Sequence, residues 1–355
     1  MKALALAVLF VFQCSALYAG PVQIGTTYSP RQSEYLGMDR EKTYLSILEA
    51  GFDLIRLGAY WDEIEKEENV YDFSALDWQI HEAAKKKVPV ALTVGMKAPR
   101  WPEYFIPDWV LKRTSLSFGT DVSRDEYLRK RTLQFIRKVV DRYKDDSIIH
   151  WWQVENEPLN RTGRQYWFIG RAFLEQEVEL VRSLDGRKRP ILLTTATYPN
   201  RILRFLNRLL SRHDPVRECL AIGDILGLNV YPVVGKEFWN ADLYFRTSRK
   251  ERERYFSKVL ALAQSKGKKA WIAELQAEPW EPGQLVHKGE GAVLTSAPEM
   301  MAELFREFRE LGVDAILLWG AEYWHFRKIR YGDTEWQGTV SDILKEDRLA
   351  KVPFT

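Results

Sequence analysis

The 355 residues carry 52 Lys and Arg against 49 Asp and Glu, a net charge of +3. That balance excludes the strongly basic surface of a nucleic-acid binder and gives no general attraction to an anionic membrane. Hydrophobic residues at 46% and charged residues at 28% describe an ordinary globular chain, long enough for a barrel domain of roughly 250 residues or more. The aromatic content stands out, with 13 Trp and 16 Tyr. It fits either a large aromatic core or a surface that stacks on the apolar faces of sugars, and Trp residues in loops favour the second.

The N-terminus has the layout of an export signal. Lys2 is followed by an apolar run from Ala3 to Phe12 and a small-residue exit, Ser15-Ala16-Leu17-Tyr18-Ala19. Cleavage near Ala19 removes 1–19 and leaves one domain over 20–355, periplasmic or secreted. The apolar run is too short to span a bilayer comfortably. An uncleaved anchor is the alternative, and Gln13 before Cys14 disfavours lipidation. Only Cys219 would remain, so no intrachain disulfide is expected.

Strand-like and helix-like runs then alternate. A first strand is expected over 22–28, and a helix capped by Asp39 over 42–50, with Gly51 at its exit. The second strand covers 52–60 and is apolar apart from Asp53 near its start and Arg56. A helix opens at Phe73-Ser74 and runs to 87. The third strand, 88–94, leads into a long loop, 95–119, whose Trp101 and Trp109 sit among prolines as candidate sugar platforms. An amphipathic helix over 125–144 has Leu128, Leu133, Phe135, Ile136 and Val139 as its apolar stripe.

The fourth strand opens at Ile148 and ends in Glu155-Asn156-Glu157-Pro158. Pro158 has no N–H and a fixed φ, so the strand stops there and presents carboxylates at its C-terminal tip. A helix is expected over 166–184, a fifth strand over 190–198 with its helix at 201–211, and a sixth strand over 225–231 with its helix at 250–266. Trp239 lies in the loop between them. The seventh strand, 269–275, carries Glu274 at its end, with Glu278 and Trp280 just beyond. A helix over 298–311 stopped by Gly312, an eighth strand over 315–319 ending at Trp319, and a short helix over 341–349 complete the chain. Eight β–α pairs with continuously apolar strands predict an α/β fold, a single (β/α)8 TIM barrel. A doubly wound open sheet is the alternative, and it lacks a glycine-rich phosphate loop after the first strand.

In such a barrel, chemistry sits where the strands' C-terminal ends meet the loops. Glu157 and Glu274 are therefore the expected catalytic pair, with Glu155 and Glu278 as rivals for the two places. No His/Cys/Asp cluster has zinc spacing, no serine-nucleophile motif occurs, and no metal or cofactor is expected.

Asn156-Glu157-Pro158 after strand four, with a lone glutamate ending strand seven, resembles the clan A glycoside hydrolases. The second-strand region Gly51 to Leu57 with Trp61 and Val70-Tyr71-Asp72-Phe73, the sixth-strand Gly227-Leu228-Asn229-Val230-Tyr231-Pro232, and Trp319 are similar to the cellulase-like and β-galactosidase-like families of that clan. The resemblance implies a retaining β-glycosidase acting on a carbohydrate substrate, with Glu157 as acid/base and Glu274 as nucleophile. The expected roles around them place Arg56 and Tyr231 on Glu274 and Asn156 on the sugar 2-hydroxyl. Asn229, Trp319, Trp101 and Trp280 complete the expected substrate-binding set. A non-catalytic carbohydrate-binding barrel, or a transglycosylase using the same intermediate, are the alternatives.

Overall fold

Eight parallel strands close on themselves into a barrel. The computed structural model describes residues 22–351, apart from residues 164, 203, 206–213, 239–240, 283–285 and 290–292. The expected leader therefore lies outside the described residues, as do Trp239 and most of the helix expected over 201–211.

The barrel strands are β1 (Gln23–Thr27), β2 (Leu54–Gly58), β3 (Val90–Val94), β4 (Ile149–Val154), β5 (Ile191–Ala196), β6 (Ile225–Val230), β9 (Lys269–Gln276) and β10 (Ala315–Trp319). All are parallel to their neighbours, so both faces are covered and each strand reads as an apolar run. Two clusters show the two faces. Leu54, Ala91, Leu192, Ile225, Trp271, Ala315 and Leu317, with Trp151 against them, fill the interior. The alternate residues of the same strands, such as Ile55, Leu92, Trp152, Leu226, Ile272 and Ile316, pack outward in the larger core beneath the helices.

The principal outer helices include α2 (Arg40–Glu49), α4 (Ser74–Lys85), α6 (Glu126–Tyr143) and α7 (Arg171–Leu184), preceded or interleaved by the short α1 (Pro30–Tyr35), α3 (Trp61–Ile64) and α5 (Asp108–Leu111). They continue with α8 (Pro215–Ile222), α9 (Arg249–Ser265), α10 (Pro298–Glu310), α11 (Ala321–Tyr331) and α12 (Glu335–Lys351). In α6 the Asp125 side chain accepts from the Leu128 N–H at 2.8 Å, and Leu128, Phe135, Ile136, Val139 and Val140 are buried at helical spacing.

Several elements differ from the sequence expectation. A hairpin, β7 (Val233–Phe238) with β8 (Ala241–Arg246), intervenes between β6 and α9. The fourth strand's helix starts at Arg171 rather than 166, because Thr162 and Trp167 pair across the preceding loop. The C-terminal helix begins at Glu335, not 341. Gly338 inside it costs about 1 kcal/mol relative to Ala. Burial of Trp336, Val340, Ile343 and Leu344 offsets that cost, and Trp336 meets Tyr323 edge-on at 5.3 Å.

Trp109 belongs to this scaffold. Its indole donates to the Glu65 carbonyl at 3.0 Å, and the Arg131 guanidinium lies 4.6 Å over its ring. The buried Glu65 carboxylate accepts from Arg131 at 2.6 Å, from the Trp61 indole at 2.7 Å and from the Asn69 N–H at 2.9 Å. Glu65→Ala strips the buried Arg131 of its closest carboxylate and leaves it Glu68 at 3.7 Å, which costs about 3–5 kcal/mol. Urea unfolding should show that loss. A loss under about 1 kcal/mol, the range of an exposed pair, would contradict the assignment.

Candidate active site

The upper interior of the barrel is polar where the lower interior is apolar. Arg56, two residues above Leu54 on β2, is fully buried. It donates to Thr27 Oγ1 at 2.8 Å, to Gln153 Oε1 at 3.3 Å and to Glu274 Oε1 at 2.8 Å. Gln153 passes the network on, donating to Asn156 Oδ1 at 3.2 Å. Thr194 on β5 donates to the same Asn156 oxygen at 3.2 Å and accepts from the Glu157 N–H at 2.9 Å. The two acceptor contacts fix the Asn156 amide, and its Nδ2 has no partner among the described residues and is available to donate.

Glu274 reaches this layer through an irregularity. Along β9, Trp271 faces the interior and Ile272 faces the helices. Strict alternation then sends Glu274 outward. The register with β6 shifts between Leu228 and Asn229, so that Leu228 stands beside Ile272 and Asn229 beside Glu274. A bulge of this kind re-aims the side chain that follows it. Glu274 turns inward, where Tyr231 donates to Oε2 at 2.6 Å and Arg56 holds Oε1.

Glu157 is carried by a turn. The strand ends at Val154, and Glu155 and Glu157 take φ of 58° and 46°. These left-handed residues lie beside Pro158 and are held by backbone and side-chain bonds on both sides, the kind of strain that clusters at functional sites. The turn separates the two glutamates. Glu155 bends away and accepts from the N–H groups of Met96 at 2.8 Å and Lys97 at 2.5 Å. Gly95, at φ 122°, leaves the room that this carboxylate fills. Glu155 thus anchors the loop after β3. Glu157 accepts from Asn229 Nδ2 at 2.6 Å, and its own carbonyl accepts from Lys97 Nζ at 2.9 Å.

The two candidate carboxyls differ in their compensation. Burial raises the pKa of Glu274, while Arg56 and the Tyr231 hydroxyl pull it back. Among the described residues no guanidinium bonds the Glu157 carboxyl. Burial, the Glu103 carboxylate and Glu274 push it up to about 8, opposed by Lys97 and the Asn229 hydrogen bond. Each of the two lies within the electrostatic reach of the other. Glu103 was not foreseen. It stands at φ 73° in the loop after β3, paired with Lys97 at 3.3 Å and bonded to Thr162.

The remaining expected residues divide. Trp280 is half-buried, tilted 5.2 Å from the Tyr231 ring, and donates to Glu278 Oε1 at 3.0 Å. Trp101 is partly buried in the loop after β3. Trp319 is 2% exposed, and the Arg100 guanidinium covers its ring at 4.0 Å. Glu278 is engaged by Arg100 and Trp280 rather than by the Arg56 network. Arg100 and Glu322 escaped the sequence reading, because an arginine beside Trp101 and a glutamate opening a helix carry no distinguishing pattern. Among the described residues no three His, Cys, Asp or Glu side chains group to hold a metal ion, and no helix is long and apolar enough to cross a membrane.

A model of the glycoside hydrolase family 42 β-galactosidases matches residues 27–174. The β-galactosidase BgaH of Haloferax lucentense is 28% identical over 149 residues, which is 38% of this chain and 21% of that protein. The family 42 β-galactosidase Gan42B of G. stearothermophilus superposes with a TM-score of 0.65 at 15% identity, over 93% of this chain and 57% of that one. Xylanase 10B of Thermotoga maritima superposes with a TM-score of 0.57 at 15% identity, over 92% and 95% of the two chains. The chain spans less than two thirds of the β-galactosidases it matches. The sequence match and the shared barrel place its resemblance among the clan A (β/α)8 glycoside hydrolases.

The electrostatics predict a directly observable titration. With carboxyl-13C glutamate, one resonance should titrate near 8 and vanish in Glu157→Gln. Glu103→Gln removes a neighbouring anion, so it should move that midpoint down. A Glu157 resonance titrating in the ordinary range, about 4, would contradict the assignment.

Proposed function

We propose that the chain is a retaining β-glycosidase, hydrolysing O-glycosidic bonds of β-linked saccharides with Glu274 as nucleophile and Glu157 as acid/base. The observation that carries the reading is the asymmetry of two buried carboxyls at one end of the barrel. One bonds a buried guanidinium and a phenol. The other has neither and holds its proton up to about 8.

Cleaving a glycosidic bond requires a proton for the leaving oxygen and electron density at the anomeric carbon. Arg56 favours the anionic form of Glu274, so its free electron pair is available for attack. The Glu157 proton passes to the leaving oxygen as the C–O bond breaks and the ester to Glu274 forms. Esterification removes the Glu274 charge, so the Glu157 pKa falls, and Glu157 then takes a proton from water as that water displaces Glu274. The free amide of Asn156 is the donor for the sugar 2-hydroxyl, a contact that strengthens as the carbon becomes oxocarbenium-like. The family match makes β-galactosides the first substrates to try. Export through the N-terminal leader remains part of the proposal.

The test is a pair of substitutions assayed on aryl β-glycosides with activated and with unactivated leaving groups. Glu274→Gln should abolish turnover. Glu157→Ala should lower it about 10²–10⁴-fold on substrates that need protonation, and azide should restore it with β-glycosyl azide as product. For the wild type, kcat/KM should fall as pH rises through about 8, where the acid loses its proton. Near-normal turnover in both variants, or an α-glycosyl azide, would contradict the proposal.

A further inference from the structure

A charged residue stands in the apolar stripe of α7. The buried residues of that helix are Phe173, Leu174, Glu177, Val178 and Val181. Glu177 is 0% exposed, and its two carboxyl oxygens accept no hydrogen bond among the described residues. The side chain within hydrogen-bond reach of it is another carboxyl, Glu155, also 0% exposed. The cations nearby are committed elsewhere. Lys97 Nζ is taken by the Glu157 carbonyl, by Thr162 at 2.6 Å and by Glu103 at 3.3 Å. On α6, Arg131 is held by Glu65, and Arg129 lies over the Phe173 ring at 5.8 Å. Tyr104, from the loop after β3, is within electrostatic reach of both carboxyls, and burial holds its phenol protonated.

Two buried carboxyls in contact do not both ionise, because like charges in a dry site force one to keep its proton. Glu155 is suited to be the anion, since it accepts from the Met96 and Lys97 N–H groups. Glu177 accepts from none, so the proton belongs to it. Ionised, it would be a buried acceptor with no donor; protonated, it is itself the donor. Burial and the Glu155 charge push Glu177 well above the usual carboxylate range, and burial lifts Glu155 to about 7. What Glu155 holds lies beside the chemistry. Its own N–H donates to the Val94 carbonyl at 2.9 Å, and the Asn156 N–H donates to the Lys97 carbonyl at 3.0 Å. With Lys97 Nζ on the Glu157 carbonyl at 2.9 Å, these bonds stitch the exit of β3 to the turn that carries Glu157. Glu155 stands at φ 58°, a conformation that persists only where its surroundings enforce it.

We propose that Glu177 is a positioning residue for the reaction: its protonated carboxyl donates to Glu155, and that bond holds Glu155 where it docks Met96 and Lys97 against the turn carrying Glu157. The inference rests on the glycosidase reading above and adds to it a residue on an outer helix. Glu177 acts through Glu155 on the loop after β3, and through Lys97 on Glu157. Lys97 opposes the rise of the Glu157 pKa, so a displaced Lys97 lets that pKa climb further. Glutamine in place of Glu177 supplies a donor of the same shape without a titratable proton.

The experiment compares Glu177→Gln with Glu177→Met, which keeps the length and loses the donor, in the full chain on aryl β-glycosides. Glu177→Met, checked for folding by circular dichroism, should lose about 10–100-fold in kcat, the order of a misplaced catalytic group, with KM nearly unchanged. Its basic limb in kcat/KM should move above the wild-type position of about 8. Glu177→Gln should restore both. Infrared spectroscopy reads the proton without catalysis and without the methionine variant. It is recorded at about pH 8, above the value of about 7 for Glu155, in a Glu157→Gln background that removes the acid's own proton. The C=O stretch of a protonated carboxyl should be present there and should vanish when Glu177→Gln is added. A folded Glu177→Met with wild-type kcat and pH profile would overturn the proposal and leave the glycosidase reading intact. So would a Glu177→Gln as impaired as Glu177→Met, or a spectrum that Glu177→Gln leaves unchanged. Loss of the band with Glu177→Gln, in a chain that hydrolyses no glycoside, would instead overturn the glycosidase reading and the role built on it, while the shared proton stands.

Discussion

A buried anion needs a buried cation, and the arrangement of the barrel's upper interior follows from where that cation is placed. Arg56 has no solvent exposure and commits its guanidinium to Thr27, Gln153 and Glu274. It is one charge, and it bonds one of the two candidate carboxyls. The Glu157 carboxyl, within reach of the Glu274 charge but bonded among the described residues only to a neutral amide, is left holding a proton. The difference in charge compensation between the two residues thus follows from a single arginine two positions above the apolar floor of the barrel. A buried ion pair of this kind is weak evidence for stability, since desolvation offsets much of the attraction. Its value is in holding charge where chemistry requires it.

The same economy recurs in the loops. The glutamate beside each candidate is used to build the walls. Glu155 ties down the backbone of the loop after β3, and Glu278 receives Arg100 from that loop. The loop between residues 95 and 105 is therefore fixed at its start by Glu155 and at Arg100 by Glu278, two carboxylates that flank the candidate ones. Lys97 and Glu103 from the same loop adjust the field at Glu157. One irregular segment both holds the Glu157 backbone and adjusts the field at its carboxyl.

Much of this was legible in the sequence, because its causes are local. Continuous apolar runs alternating with amphipathic ones announce a parallel barrel, and Pro158 marks where strand four must stop. Arg56 stands out as the lone charge in an apolar strand. What was not legible depends on long-range register or on backbone conformation. Counting by twos along strand four puts Glu155 and Glu157 on one face, but left-handed φ at both residues breaks the count. Counting along β9 sends Glu274 outward, and only the shift in pairing with β6 brings it in. Arg100 and Glu278 are 178 positions apart, and nothing near either one announces the other. Of the loop tryptophans expected as sugar platforms, Trp109 is committed to Glu65 and Arg131; Trp319, at the end of β10, lies under Arg100.

The central claim is that the carboxylate held by Arg56 forms the covalent bond to sugar. The most direct measurement is to inactivate the enzyme with an activated 2-deoxy-2-fluoro β-glycoside, digest it, and locate the added mass by tandem mass spectrometry. The account predicts one sugar per chain, on Glu274, with release on transfer to an acceptor. A label on Glu157, Glu155 or Glu278, or turnover without any trapped ester, would contradict it.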